Sequence, residues 1–562
     1  MNILGIGGYS HDSAAALVCD GRLVAAVAEE RLTRVKHQGG VPYRAVQYCL
    51  DAAGIGPDEV DHVGCYMRPL LRLGRRVPYR LRHAPRHPVW SGGYIAYELV
   101  HNALYGHGMR GLRGKKAKLH FMEHHPAHAA SAFLVSPFDE AALLCTDYVG
   151  EFAATWTGVG RGTDIRRIRA RNYPHSLGVF YSGMTDYLGF LRASDEYKVM
   201  GLASYGEPAY LDEFRKIIQP RPDGTYRLDL SWFQCHVAPG SRCGYFSDKF
   251  LRRFGPPRKK GEPVEQRHMD LAASAQRLVE EIVLNVAKRL HADTGLNRLC
   301  MAGGVALNCA MNGRLLRESP FDEIFVQPAA GDDGIAIGAA FQLHHRLTGA
   351  GRDFTMRDAR LGPEFTDGEI RRFLDGAKIP YEAPEDVEET AARLIAAGNI
   401  VGWFQGRMEF GPRALGGRSI LADPTRPDMK DLLNKHVKHR EDFRPFAPSC
   451  LAERAGEFFE GCGESPFMLF VHPVNPEKRG AVPAITHVDG TARVQTVSRD
   501  VDPKFYRLIE AFERLRGVPM VLNTSFNVMG EPIVCTPAEA VRCFYSTGMD
   551  AFVVGGCVVR KR

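Results

Sequence analysis

Residues 123–133, EHHPAHAASAF, place His124 and His128 four apart at the expected start of a helix. On a helix that spacing sets both imidazoles on one face, where they can share one metal ion. Two histidines leave coordination positions open for hard oxygen ligands. Asp332, in AAGDDGIAIG, and Asp147, at the end of the apolar run ALLCTD, are the candidates. By ligand type the set suits Fe(II), Mn(II) or Zn(II), of which Fe(II) is the expected occupant. A zinc protease would need H-E-x-x-H, and residue 125 is His, so that chemistry is excluded. His11, in GGYSHDSAA, follows the first expected strand; an imidazole of ordinary pKa near 6.5 can take a proton from a hydroxyl. In MAGGVALN, Gly303 and Gly304 allow close backbone approach to a ligand, and Asn308 offers an amide for a base or ribose.

The C-terminal part carries a second kind of chemistry. GRMEFGPRALGGRSILADP sets Arg407, Arg413 and Arg418 among glycines, and KHREDFRPFAP adds Lys438, Arg440 and Arg444. Arg493 follows, and LNTSFN contributes Asn523, Ser525 and Asn527 at a strand end. Guanidinium forks with exposed backbone N–H groups are what a phosphate or carboxylate requires. An anion site is therefore expected here.

The elements that must position these residues read as α/β. NILGIGG, SAAALVCDG and RLVAAVAEE form a three-stranded meander, with Asp20-Gly21 marking a hairpin. ALLCTDYVGE, AATWTGVGRG and DIRRIRARNY repeat it. Such a duplication matches the actin-like and sugar-kinase-like ATPases, an analogy of fold alone. Helices are expected near 42–54 and over 264–293, and a strand near 60–66. Residues 348–368 read as a loop, which divides the chain into domains 1–355 and 356–562. The second alternates helices (EETAARLIAAG, MKDLLNKHVK, KFYRLIEAFERLRG, AEAVRCFYSTG) with strands (IVGWFQG, PMVLNTS, AFVVGG).

At 562 residues the chain is too long for one core. No apolar run approaches the roughly 18 residues of a membrane span, and the N-terminus lacks a secretory signal pattern. With 13 scattered cysteines and no C-x-x-C, a reducing cytoplasmic setting without a membrane partner is expected. Cys235, His236 and Cys243 match no common zinc spacing. The +7 net charge is concentrated around Arg72–Arg86, Arg113–Lys118 and Arg252–Lys260, read as solvated loops beside an anionic-substrate site. Aromatics are not interleaved as a single-strand binder needs, so nucleic acid is not expected as a partner. A homodimer is compatible with the sequence.

Seven motifs in order carry a family resemblance: HHPAHAASAF, YKVMGLASYG, GGVALN, GDDG, GRMEFGPRALGGRSIL, REDFRPFAP and LNTSFNVMGEP. Together they resemble the O-carbamoyltransferases of antibiotic, toxin and nodulation-factor biosynthesis. The resemblance implies an actin-like (duplicated ribonuclease-H-like) N-terminal domain, similar to the tRNA threonylcarbamoyl-transfer ATPases, fused to a YrdC-like α/β domain. It implies that carbamoyl phosphate and Mg-ATP meet in the second domain and become carbamoyladenylate. Transfer to the hydroxyl of a small-molecule acceptor then occurs beside a metal ion in the first. By motif, His124, His128, Asp147 and Asp332 fall on the metal site and His11 on the general base. Lys198, Gly303, Gly304 and Asn308 fall on the adenylate site. Arg413, Lys438, Arg444, Arg493, Asn523 and Ser525 fall on the carbamoyl phosphate and ATP site. The alternative is an enzyme that makes threonylcarbamoyladenosine in tRNA. Acceptor choice is expected to lie in the Arg-rich residues 67–116.

Overall fold

In the computed structural model, which describes residues 1–84, 88–112, 114, 116–236 and 244–561, the chain forms two units. One comprises Met1–Glu29 and His37–Thr355, the other Glu30–Lys36 and Met356–Arg562. The short segment counts with the second unit because Arg31 donates to Gly411 O, and Arg34 to Pro532 O and Ile533 O. Hydropathy carries no sign of this exchange.

The first unit holds two five-stranded sheets. The first uses β1 (Asn2–Gly7), β2 (Ala14–Cys19), β3 (Arg22–Ala28), β4 (His62–Tyr66) and β5 (Lys118–Met122), in the order β3-β2-β1-β4-β5. β1 pairs antiparallel with β2, from Asn2 opposite Cys19 to Gly7 opposite Ala14, and parallel with β4. Asp20 and Gly21 both have positive φ, as a two-residue hairpin of right-handed twist requires. Helix α1 (Tyr43–Ala53) makes the crossover from β3 towards β4. Between β4 and β5 lie α2 (Pro69–His83) and α3 (Pro88–Gly111), packed on each other.

After α4 (His124–Phe133), the second sheet uses β6 (Glu140–Thr146), β7 (Ala153–Arg161), β8 (Asp164–Asn172), β9 (Arg298–Ala302) and β10 (Glu323–Val326). Its order, β8-β7-β6-β9-β10, repeats that of the first, with the same antiparallel meander and two added parallel strands. This repeated order is the actin-like duplication. Three further helices matter: α5 (Gln266–Thr294), α6 (Cys309–Glu318) and α7 (Ile335–Thr348). α7 packs on β1 and α4 with no room for side chains. A Cβ at Gly7 would strike Asp332 O, and one at Gly338 would strike Ala127 O. These contacts lock the start of α7 against the start of α4.

The second unit is also α/β. Its seven-stranded mixed sheet comprises β11 (Val401–Phe404), β12 (Arg418–Ala422), β13 (Ala447–Leu451), β14 (Gln495–Val497), β15 (Met520–Ser525), β16 (Ala551–Val554) and β17 (Cys557–Arg560). The order is β14-β13-β15-β12-β11-β16-β17. One face buries α8 (Val387–Ala396) and α9 (Pro503–Arg516) around Trp403, Leu508 and Phe512. The other packs Leu433, Phe459 and α10 (Pro537–Tyr545) around Phe526 and Phe552. Among the described residues no helix is long and apolar enough to cross a membrane.

Candidate metal centre and anion site

α4 presents His124 and His128 in its first turns. Asp147 leaves the end of β6, and Asp332 stands in the turn that opens α7. One ligand atom from each of the four lies within 4.8 Å of the others, and all four residues are buried. His124 Nε2 is 3.0 Å from Asp147 Oδ2 and 3.7 Å from Asp332 Oδ1. His128 Nε2 is 3.8 Å from Asp147 Oδ2 and 3.5 Å from Asp332 Oδ1. The last two separations are too long for good hydrogen bonds, and His128 Nε2 is buried with no hydrogen-bond partner among the described residues. An orphaned imidazole nitrogen converging with two carboxylates fits a divalent cation. The donor set matches Fe(II), Mn(II) or Zn(II) by type.

Charge in the cluster follows from its burial. Desolvation works against a cation at His128, yet Asp147 and Asp332 together raise it to about 9. Burial works against the carboxylate of Asp147 too, but His124 and His128 hold it well below its usual range. His125, on the same turn, is driven down to about 3 by burial and by the charge of His124.

Neighbouring groups hold these four side chains in place. Gly304 N donates to Asp147 Oδ1 at 3.1 Å, leaving Oδ2 aimed at the histidines. Gly303 makes this approach with φ of 90°, where a Cβ would strike Thr146 O. Glu151 Oε1 accepts from His124 N at 3.1 Å and Arg68 N at 2.9 Å, satisfying an open donor at the start of α4. Arg76 in turn donates to Glu151 O at 2.8 Å and to Gly150 O. Arg72 and Arg76 are fixed by the fully buried Glu98 of α3, at 2.6 and 2.8 Å. Sequence reading singled out neither Glu151 nor Glu98. The one signal for Glu151 was an acid four residues beyond Asp147.

His11 lies in the turn after β1, its Nδ1 2.9 Å from Asp12 Oδ2. Protein walls the ring, which disfavours its charge, but 44% of the side chain stays open. The Asp12 hydrogen bond and the charge of Asp332 outweigh that burial and raise His11 to about 10. The other oxygen of Asp12 is 2.7 Å from His37 Nδ1. Asn308 caps α6, with Oδ1 accepting from Met311 N, and its Nδ2 donates to Gln276 Oε1. Lys198 is placed in an ion pair with Asp195 at 3.1 Å rather than in the group of four.

In the second unit Lys438 reaches the end of β15, the strand that carries Asn523 and Ser525. Lys438 Nζ donates to Ser525 O, to Ser525 Oγ at 3.3 Å and to Asn527 Oδ1 at 3.0 Å. Burial and the nearby charges of Arg440 and Arg444 push it well below its ordinary value. Asn523 Nδ2 donates to Ser449 Oγ at 2.9 Å, Gln495 Oε1 at 3.2 Å and Ala414 O at 3.3 Å, tying β15 to the loop of Arg413 and the strand after Arg493. Asn523 Oδ1 and Arg493 Nε are buried without hydrogen-bond partners among the described residues.

Two arginines of the expected fork have other work. Arg418 is fully buried, stacked 3.6 Å over Phe404, and donates to the carbonyls of Gln405, Gly406, Gly417 and Pro363. Arg407 donates to Leu361 O and Gly362 O. Both brace the loop. Glu409, missed in the sequence, gathers it from inside: its Oε1 accepts from Leu415 N, Gly417 N and Arg418 N.

The reading of the basic stretches as solvated loops holds in part, since Arg75, Arg82, Arg252, Arg253, Lys259 and Lys260 are exposed, but the first stretch is helical and three arginines are buried. Arg72 and Arg80 are buried on α2, and Arg258 is buried with its guanidinium on Leu188 O and Glu262 O. Their charges are consumed by local acceptors. Arg86, Arg113, Lys115 and Cys243 lie outside the described residues.

Residues 2–341 match the family model described as carbamoyltransferase N-terminus, and residues 392–561 match carbamoyltransferase C-terminus. An uncharacterised protein of Synechocystis is 46% identical over 100% of this chain and 97% of its own length. A nodulation protein of Sinorhizobium fredii is 41% identical over 99% of this chain and 79% of its own. The 3'-hydroxymethylcephem-O-carbamoyltransferase of Amycolatopsis lactamdurans is 31% identical over 79% of this chain and 81% of its own. Among solved structures, a 2-hydroxyglutaryl-CoA dehydratase component of Acidaminococcus fermentans is 18% identical, covering 61% of this chain and 96% of its own, at a TM-score of 0.34. That likeness is too distant to bear on the fold, which rests on the strand order.

Proposed function

The chain belongs to the carbamoyltransferase family, and from that premise we propose that it is an ATP-dependent O-carbamoyltransferase acting on the hydroxyl of a small natural-product acceptor. In this reading carbamoyl phosphate is hydrolysed in the second unit to phosphate and carbamate, and the carbamate oxygen displaces pyrophosphate from the α-phosphorus of Mg-ATP to give carbamoyladenylate. In the first unit the acceptor oxygen attacks its carbonyl carbon and AMP leaves. The observation that carries it is the convergence of His124, His128, Asp147 and Asp332, with an unsatisfied His128 Nε2. That the relative from Amycolatopsis is named as an O-carbamoyltransferase supports the choice of a hydroxyl acceptor.

Carbamate is a poor electrophile, and a mixed anhydride with AMP supplies a good leaving group. In the second unit Arg413, Arg444 and Arg493 offset phosphate charge, Lys438 holds the β15 end through Ser525, and Asn523 offers its free carbonyl. In the first, His11 takes the acceptor proton in its neutral form, with Asp12 fixing the ring through Nδ1. A divalent metal held by the four ligands would offset the Asp147 and Asp332 charges beside His11 and polarise the carbamoyl carbonyl. Gly303, Gly304 and Asn308 shape the floor of the adenylate site, and Lys198 serves its phosphate.

The test is to incubate the purified protein with ATP, carbamoyl phosphate and a divalent metal, following phosphate, pyrophosphate and AMP. Pyrophosphate release that requires carbamoyl phosphate is expected. Release of ADP instead would overturn the reading.

A further inference from the structure

Helix α3 has two faces of opposite character. Glu98, Asn102, Tyr105 and Met109 recur at three- and four-residue spacing and are buried. On the outer side Tyr97, Val100 and Leu104 recur with the same spacing, and Val89, Trp90 and Leu99 are exposed as well. These six side chains are between 46% and 83% exposed. A concentration of large exposed apolar groups on a surface helix marks a binding surface. Leu70 and Leu81 of the adjoining α2 are exposed as well.

Charge identifies the occupant. Between Arg68 and Lys118 the sequence has twelve Lys and Arg and a single acidic residue, Glu98. Glu98 is buried and consumed by Arg72 and Arg76. The other exposed charges of this segment are positive, at Arg75, Arg82, Arg110, Lys116 and Lys118, while Arg68 is paired with Glu123 at 3.4 Å. A second copy of the same face would set these cations against each other. An anionic surface with an apolar layer beneath it satisfies both features.

We propose that α2 and α3 form a peripheral docking surface for an anionic phospholipid bilayer. The exposed apolar groups enter the interface and the flanking arginines and lysines meet the lipid phosphates. α3 also carries His101, whose Nε2 is 3.3 Å from Ser10 Oγ, so the docking helix touches the turn that bears His11.

The experiment is co-sedimentation of the full chain with vesicles of phosphatidylglycerol and phosphatidylcholine, compared with vesicles of phosphatidylcholine alone. Binding should require the anionic lipid, weaken with added salt as screening shortens the reach of the charges, and fall tenfold or more in the double variant V100E/L104E. Both positions are exposed, so the variant should keep its thermal transition and its carbamoyl-phosphate-dependent pyrophosphate release. Equal binding to both vesicles, or to neither, would overturn the proposal. So would a lipid-free dimer, seen by analytical ultracentrifugation, that V100E/L104E dissociates, because α3 would then be an interface between two copies.

Discussion

Substituting Glu98 by Ala would remove the only acid from the α2–α3 layer and leave two guanidinium groups behind. Glu98 is fully buried, Arg72 is 6% exposed and Arg76 12% exposed. Removing one partner of such a pair costs ~3–5 kcal/mol, because the remaining charge stays buried without compensation. In a unit of this size about 2 °C of Tm is lost per kcal/mol, so the transition should fall by about 6–10 °C. Arg75→Ala on the same helix, at an exposed position, should move it by about 1 °C. The damage should also reach the candidate metal site. Arg76 holds the carbonyls of Gly150 and Glu151, and Glu151 receives His124 N. Loss of a supporting group of this kind weakens metal binding on the order of 10-fold. Calorimetry of the full chain and titration with Mn(II) or Fe(II) read the two effects. A Tm within 2 °C of the parent, or unchanged metal affinity in a destabilised variant, would refute the reasoning.

Acid should expose the same network. Burial alone would raise the Glu98 carboxyl, but Arg76 and Arg72 hold it below its ordinary 4.5. Its contribution is thus complete above the unfolded carboxylate value and fades as pH falls through the folded one; a pH series of Tm for E98Q should lose that limb. Arg444→Ala should abolish carbamoyladenylate formation, whereas His128→Ala should spare it and block transfer from carbamoyladenylate supplied ready-made; loss of the same half-reaction in both would refute the division of labour. Gly303→Ala, at φ of 90° and with its Cβ against Thr146 O, should displace Gly304 N from Asp147 and lower metal affinity by at least tenfold; a parent-like titration would count against this anchoring role.

Much of the first unit was legible because its signals are local. The Asp20-Gly21 hairpin, the two meanders and the long α5 helix each follow from periodicity and turn chemistry within a short window. The second unit was legible in its helices and in β11, β15 and β16. β12 and β13 were hidden: Arg418–Ala422 and Ala447–Leu451 sit inside stretches that read as basic ligand loops. Their pairing with β15 joins residues about a hundred or fewer positions away, which no short window contains. Arg418 illustrates the cost of reading by type. An arginine among glycines looks like a phosphate fork, and only the fold shows its guanidinium spent on carbonyls and stacked on Phe404.

The linear sequence by itself determined the residue types that can do chemistry here, from the histidine pair on one helical face to the arginines of the second unit, because composition and spacing fix what a side chain can donate or accept. Tertiary structure alone decided how they meet. α4, β6 and the start of α7 come from separate parts of the chain, and their ligand atoms converge because glycines let α7 pack directly on β1 and α4. It also decided the fate of charge. Glu98 and Arg72 are buried as a pair, while Val100 and Leu104 remain at the surface. Which face of a helix meets protein depends on what folds against it, and that is set by contacts remote in sequence.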